Sequence, residues 1–529
     1  MLNRIAGDTV LLWGAKRHAA AFFAGALLVF ALPPFDFFAV GFISFVVLLW
    51  LIEGAVPSPN ARGALKLYPA AVTGWFFGFG YFLAGLWWLG NAVVAESMEF
   101  AWAIPLAVIG LPALLAFFFS ASAMLARAVW GRGIGTAAAL AFGFGIGEWL
   151  RGFLFTGFPW NSLGLTIMPA PLFMQILSVF GMVAVNALAV FVFALPVAIS
   201  LSRFRWAGPA LSALLIAGQA GYGIYRLDGE DARTLPAGPV VRIVQPSVRQ
   251  DEKWDAKIRD RIFLTFLELT RQAPVEGKPI PAMVVWPETA VPFLFTDRPD
   301  ALAALGETLG DRQILLAGAV RQEGDRNKGD TVRYYNSLLA INDTGEITDA
   351  ADKAHLVPFG EYLPLSNVLE SFGLQQLVAT PGGFSAGSGR HRFKFDGFPE
   401  IAPLICYEII FPGAMGAERP GLAVNVTNDA WYGRTPGPWQ HLRLAQIRAA
   451  ETGVPVIRAA NNGVSAFIDG YGRIVSALPL DSVSVLDQPL PAAAPQTLYS
   501  RYGTRITFGV FLLLVAIAGL TNLLRRSSM

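Results

Sequence analysis

The sequence predicts a polytopic α-helical membrane domain of about eight spans joined to an α/β domain, on three observations. Hydrophobic residues make up 54% of the chain and charged residues only 15%, against about 25% charged in ordinary soluble domains; the mean hydropathy is +0.49. The charge is also segregated. Apolar runs with short polar connectors extend to about Tyr225, an ordinary soluble composition follows from Leu227 to Ser500, and one more apolar run, Ile506–Leu524, is closed by Arg525 and Arg526. Finally, short β-branched runs alternate with helical patterns inside the soluble stretch. The predicted division is a seven-span membrane domain over 1–226, an extracytoplasmic domain over 227–500, and an eighth transmembrane helix with a cytoplasmic tail over 501–529.

A helix needs roughly 17 to 25 apolar residues to cross the hydrocarbon core. Candidate spans are His18–Leu32, Phe37–Ile52, Tyr68–Trp88, Ala101–Val129, Thr136–Phe153, Pro171–Leu201 and Trp206–Tyr225, followed by Ile506–Leu524. Positive connectors set orientation. Arg4, Lys16 and Arg17 precede the first span, Arg62 and Lys66 follow the second, and Arg127, Arg132, Arg203 and Arg205 mark two later connectors. The alternate connectors Pro33–Asp36 and Gly90–Phe100 carry no Lys or Arg. Both termini are therefore expected to be cytoplasmic and the soluble stretch outside, against the minor counter-signal of Arg501 and Arg505. In a bacterium that outside is the periplasm. No small-residue cleavage site suggests a removable signal peptide. A net charge of +2 without a long basic cluster gives no footprint for nucleic acid.

Glu148 and Arg151, at the outer end of the fifth span, are costly in lipid and close enough on a helix to pair. Thr156-Gly157-Phe158-Pro159-Trp160 after them reads as an interfacial turn. In the soluble stretch, strands are expected at Val240–Val244, Ala282–Trp286, Ile314–Ala319, Tyr335–Ile341, Ile401–Ile405, Leu422–Val426 and Val454–Ala459, and helices at Asp255–Thr270, Ala301–Thr308 and Gln440–Thr452. Several strands are continuous apolar runs, as in a sheet buried on both faces.

The single cysteine, Cys406, has no partner for an internal disulfide and no neighbouring metal ligands. It is a buried hydrophobe, an intermolecular bridge or a nucleophile. An oxidising outside compartment favours the last. Three motifs place reactive groups just past strand ends, where α/β sheets build sites: Trp286-Pro287-Glu288, Asp352-Lys353 running to Gly360-Glu361, and Ile405-Cys406-Tyr407-Glu408. They supply a base, a cation and a thiol, which is what a cysteine nucleophile needs. A Cys–His pair with His355 or His441 remains an alternative at this point. No metal cluster or phosphate-binding glycine loop is present in the sequence, so no cofactor is expected.

The order Glu288, Lys353, Cys406 resembles the nitrilase superfamily. The membrane context resembles its apolipoprotein N-acyltransferase family. The strings that carry the resemblance are Glu148-Trp149-Leu150-Arg151-Gly152, Gln245-Pro246-Ser247, Lys253-Trp254-Asp255, Trp286-Pro287-Glu288 and His355-Leu356-Val357-Pro358-Phe359-Gly360-Glu361. Downstream follow Cys406-Tyr407-Glu408, Asn428-Asp429-Ala430-Trp431-Tyr432-Gly433, Gly437-Pro438-Trp439-Gln440-His441 and Asn461-Asn462-Gly463.

The resemblance implies an αββα sandwich with a Glu-Lys-Cys triad. Cys406 would take the sn-1 acyl chain of a phospholipid, typically phosphatidylethanolamine, as a thioester, and pass it to the N-terminal amine of a diacylglyceryl-cysteine apolipoprotein. Glu288 would be the general base and Lys353 the oxyanion partner. Glu361 would be a further essential carboxylate orienting Lys353, and Tyr407 and Glu408 would flank the nucleophile. Trp254 would contact substrate, with Asn428, Asp429 and Trp431 shaping the pocket. The apolar segment 362–388, with Leu363, Leu365, Leu369, Phe372, Leu374 and Leu377, would be an arm dipping into the bilayer. The place of action would be the bacterial inner membrane. A membrane-tethered amidase that hydrolyses its acyl-enzyme is the alternative.

Overall fold

A computed structural model describes residues 2–198, 206–228, 238–274, 279–324, 330–365, 383–389, 391–416 and 418–526. Most of the expected apolar arm, including Leu369, Phe372, Leu374 and Leu377, lies outside the described residues, as do Arg203 and Arg205. Two compact units form. One comprises Met1–Gly90, Ala103–Gly229 and Gln496–Met529; the other comprises Asn91–Trp102 and Glu230–Pro495.

The first unit is helical, as its unbroken apolar runs require. Among the described residues, Gly63–Leu86, Leu106–Ala128, Leu177–Val197 and Thr504–Thr521 are long and apolar enough to cross a membrane. The expected first and second spans form the shorter helices Gly14–Leu28 and Val40–Glu53, of 15 and 14 residues. At ~1.5 Å per residue these fall short of a ~30 Å hydrocarbon core. The expected seventh span is the helix Ala207–Leu227. The sixth is split by the left-handed backbone at Gly181.

The helix Ile134–Arg151 ends in a buried ion pair. Arg151 Nη2 donates to both Glu148 carboxylate oxygens at 2.9 and 2.7 Å. Its Nη1 donates to the carbonyls of Phe158 and Trp160, and Glu148 Oε2 accepts from the Leu163 N–H at 3.3 Å. The pair thus closes the turn that the sequence placed after this helix, in which Phe155, Thr156 and Gly157 all have positive φ. This is a structural role. Glu148→Gln leaves a buried guanidinium short of its counter-charge, a defect that typically costs about 3–5 kcal/mol. A clear drop in the melting temperature of detergent-solubilised protein is expected.

The second unit is a sandwich of two sheets. The strands are β1 (Val240–Gln245), β2 (Met283–Trp286), β3 (Ile314–Glu323), β4 (Arg333–Ile341), β5 (Ile347–Asp352), β6 (Ile401–Ile405), β7 (Leu422–Thr427), β8 (Val456–Ala460), β9 (Ser465–Ile468), β10 (Ile474–Leu478) and β11 (Ser484–Pro489). One sheet has the order β11-β1-β2-β3-β4-β5 and the other β10-β9-β8-β7-β6. The first has a parallel centre and antiparallel flanks, and the second is parallel from β6 to β8 and antiparallel from β8 to β10. Side chains alternate across each strand. Val241, Ile243, Met283 and Val285 from one sheet therefore meet Ile405, Val424 and Ile457 from the other in a common core. On the outer face of the first sheet, Val244, Val284 and Trp286 pack with Phe263, Phe266 and Leu305 of the helices Arg259–Arg271 and Pro299–Gly306. The helix Pro436–Thr452 packs on the second sheet. The layers are αββα.

Arg242 points to the helix side of β1. It pairs with Asp487 of β11 at 2.6 Å and donates to the carbonyls of Leu269, Thr270 and Gln272. A cation thus satisfies the orphan carbonyls that end a helix.

Candidate active site

The strand ends gather the residues. Glu288 follows β2, Lys353 directly follows β5, and Cys406 directly follows β6, opening a short helical turn, Cys406–Ile410. Lys353 Nζ donates to Glu361 Oε1 at 2.9 Å and reaches Glu288 Oε1 at 3.4 Å. Asn336 of β4 ties the same two carboxylates together, its Nδ2 lying 2.8 Å from each. The remaining oxygens accept backbone N–H groups, Glu288 Oε2 from Asn428 at 3.0 Å and Glu361 Oε2 from Val357 at 2.8 Å. All four side chains are buried. Gly318 on β3 makes room for this arrangement, since a Cβ there would sit 2.2 Å from the Pro287 carbonyl oxygen and 2.7 Å from Glu288 Cα.

Burial would strip the Lys353 ammonium of its proton, but the charges of Glu361 and Glu288 outweigh that and hold it firmly charged. Burial also pushes the Cys406 thiol well up, and the Glu288 charge pushes it further, against the pull of Lys353 and a Thr427 hydrogen bond. The resting sulfur is therefore a thiol beside a carboxylate, not a standing thiolate.

Cys406 has φ of 50°, a left-handed conformation that costs a non-glycine residue on the order of 1–3 kcal/mol. Several groups hold it there. Glu408 accepts from the N–H groups of Ile405, Ala354 and His355 at 2.8, 2.9 and 3.1 Å, which ties the nucleophile turn to the Lys353 loop. Beneath the nucleophile lies a network the sequence reading did not identify. Thr427 Oγ1 donates toward Cys406 Sγ at 3.3 Å and lies 3.1 Å from Asp429 Oδ1. Asp429 is paired with Arg458 at 2.6 Å and lies 2.9 Å from His441 Nδ1. His441 Nε2 donates to the Cys406 carbonyl at 3.2 Å, and Asn425, held by Arg458, reaches the same oxygen. His441 thus grips the backbone of the nucleophile rather than its sulfur. The His355 ring packs against Phe411 and Tyr407. Neither histidine is arranged as the base of a Cys–His pair.

Burial alone would raise the Asp429 carboxyl, but Arg458 and His441 outweigh it and hold it at about 2, against an ordinary 3.8. A carboxylate lowered by folding contributes stability that is present above pH 3.8 and lost as pH falls toward 2. Asp429→Asn is expected to cost about 3–5 kcal/mol at neutral pH by leaving Arg458 buried without its counter-charge. Denaturant unfolding should show the gap to wild type narrowing below pH 4, near the ordinary carboxylate range.

The other expected residues take supporting places. Tyr407 is buried against Phe411. Asn428 holds Glu288 through its backbone, and its side chain donates to Gln250 at 2.6 Å. Trp431 is half-buried in the turn Asp429–Tyr432. Trp254 is 41% exposed; its indole N–H donates to Glu96 at 3.2 Å, and Gln250 donates to the same oxygen at 2.8 Å. Asn336, Thr427 and Arg458 belong to the site although no sequence motif marked them, and His441, weighed in the sequence as a base, serves it through the Cys406 carbonyl instead. Among the described residues no cluster of His, Cys, Asp and Glu could hold a metal ion.

Two family models match the chain, the carbon-nitrogen hydrolase model over residues 245–494 and the apolipoprotein N-acyltransferase N-terminal domain model over residues 24–195. The apolipoprotein N-acyltransferase of Brucella suis is 51% identical over 495 residues, which covers 93% of each chain. That of Rhizobium rhizogenes is 48% identical, covering 99% of this chain and 98% of its own. That of Sinorhizobium fredii is 50% identical, covering 97% and 98%. Identity at this level runs through both the helical unit and the sandwich that carries Glu288, Lys353 and Cys406, and the chain belongs to the apolipoprotein N-acyltransferase family.

Proposed function

We propose that this protein transfers the sn-1 acyl chain of a phospholipid, phosphatidylethanolamine in the first instance, through a Cys406 thioester to the N-terminal amine of diacylglyceryl-cysteine apolipoproteins. The observation that carries the reading is the shared, buried anchoring of Glu288, Lys353 and Glu361 beside a thiol on a strained turn. The helices of membrane-spanning length support a lipid donor. The distribution of Lys and Arg supports cytoplasmic termini and a catalytic unit on the outer face of the inner membrane. The sequence division into 1–226, 227–500 and 501–529 serves the same reading, with one addition: Asn91–Trp102 belongs with the catalytic unit.

In the first half-reaction Glu288 takes the thiol proton as Sγ attacks the ester carbonyl. Lys353 stabilises the resulting oxyanion. The C–O bond breaks, and the proton passes from Glu288 to the departing glyceryl oxygen, releasing lysophospholipid. In the second, the acceptor amine attacks the thioester carbonyl and gives its proton to Glu288. The C–S bond breaks, the amide forms, and the sulfur recovers the proton. Glu361 orients Lys353, Glu408 and Tyr407 hold the nucleophile turn, and Asn428 positions Glu288. Trp254 and Trp431 contact the lipid-bearing substrates.

The test is to incubate purified protein with phosphatidylethanolamine alone and weigh it intact. One acyl mass, removed by neutral hydroxylamine and discharged by a diacylated lipopeptide as an amide, is the expected result. A protein that stays unmodified while its thiol still alkylates refutes the lipid donor. An adduct discharged only as free fatty acid makes the enzyme a hydrolase.

A further inference from the structure

A second buried amine stands beside the base. Lys253, in the turn between β1 and the helix Arg259–Arg271, is 3% exposed. Its Nζ makes one long hydrogen bond, 3.4 Å to the backbone carbonyl of Glu288. Unlike Lys353, it forms no ion pair with any carboxylate among the described residues. Glu288 and Glu361 are two buried carboxylates sharing one ammonium, and Lys353 sits closer to Glu361 than to Glu288. Such a trio carries one uncompensated negative charge in a poorly solvated place, where unbalanced charge is expensive.

We propose that Lys253 is a positioning residue of the acylation site, supplying the counter-charge that lets Glu288 serve as an anionic base while Lys353 is held by Glu361. Its N–H also fixes the Glu288 carbonyl just before Thr289, whose φ is 45°. The carboxylates that act on Lys253 come from two separate segments, Glu288 after β2 and Glu96 from Asn91–Trp102, and the Cys406 sulfur after β6 adds to them only as a thiolate. Burial pulls its pKa down to about 8 against their attraction. The amine is therefore mostly charged at pH 7 and loses its charge as pH rises through about 8. A lysine so lowered costs the fold stability while charged, and the cost fades as pH rises from about 8 toward 10.5. Retaining such a group makes sense where the reaction uses it.

The inference rests on Glu288 being the base, so the test reads the thiol and its base without any lipid. Full-length protein in detergent is alkylated with iodoacetamide from pH 6 to 9, and Cys406 modification is followed by intact mass. Glu288→Gln should slow alkylation. Lys253→Met should slow it about tenfold at pH 7 and move its acidic limb up by about one pH unit. Its melting temperature should be equal to or above wild type, and the deficit should shrink above pH 8. Lys253→Arg should restore most of the rate. Wild-type alkylation in Lys253→Met alongside slow Glu288→Gln overturns the inference. So does a slow Lys253→Met with a lowered melting temperature that arginine does not rescue, since that marks a packing residue. Unchanged alkylation in Glu288→Gln removes the base assignment, and this inference with it.

Discussion

Cys406→Ala is expected to form no acyl adduct under conditions that fully acylate wild type, while keeping its melting temperature close to the wild-type value. Little holds the thiol itself in place. Thr427 Oγ1 has Asp429 Oδ1 at 3.1 Å as a second partner, so losing the sulfur leaves no buried hydroxyl stranded. The strained backbone is held by His441, Asn425 and the neighbouring Glu408, none of which bonds the sulfur, and alanine bears a φ of 50° no worse than cysteine does. Cys406→Ser separates chemistry from geometry. A hydroxyl is far harder to ionise than a thiol, and this site already pushes the thiol up. Any serine adduct should form much more slowly and, as an oxygen ester, survive neutral hydroxylamine. Intact mass with and without hydroxylamine distinguishes the cases. An adduct on Cys406→Ala would place the nucleophile elsewhere.

That the thiol rests protonated bears on how the enzyme would tolerate the oxidising compartment in which its proposed orientation places it. A standing thiolate is the form that oxidises and exchanges. Here Cys406 is 5% exposed, and in the proposed reaction its proton leaves to Glu288. The network of Asp429, His441 and Arg458 gives no proton to the sulfur and takes none from it; its contact is with the carbonyl of Cys406. Burial and the nearby Arg458 both lower the His441 pKa. The contact of Nδ1 with Asp429 Oδ1 at 2.9 Å pulls the other way.

The parts legible in the sequence were those with a local signature. β1–β4 and β6–β8 are apolar, β-branched runs ending at turn residues, and Glu288 and Cys406 stand just beyond two of them, whereas Lys353 follows β5. β5, β9, β10 and β11 escaped notice. Ile347–Asp352 carries two aspartates, Ser465–Ile468 is short, and Ser484–Pro489 has no clean alternation; their pairing with neighbours makes them strands. Similarly, Arg242 in mid-strand is explained only by partners distant in sequence, among them Asp487, which is 245 residues away. Asn336 and Arg458 lie inside strands, where a polar residue carries no label until its partners arrive from other strands. The helix start at Pro436, by contrast, was marked in advance. Thr435 caps it and proline occupies the first turn, signals that the expected start at Gln440 overlooked.

Glu288→Gln should lower the rate of acyl-enzyme formation by about 10²–10⁴-fold, the usual worth of a positioned general base. Glutamine fits the same space, but with its oxygen on the Asn428 N–H its NH2 faces the Asn336 Nδ2 and Lys353 Nζ donors, so some stability is lost as well. Lys353 keeps Glu361 at 2.9 Å, so the oxyanion partner stays in place and the rate defect is confined to proton transfer. The pH profile makes the case specific. In wild type the acidic limb of the single-turnover rate follows loss of the anionic base; with glutamine that limb should disappear and the residual rate climb steadily with pH as the thiol ionises unaided. Lys353→Met acts through charge instead: two buried carboxylates then face each other without their shared cation, and stability as well as rate should fall. The two variants together test a division of labour, since a Glu288 that only balanced the charge of Lys353 would keep its acidic limb on substitution.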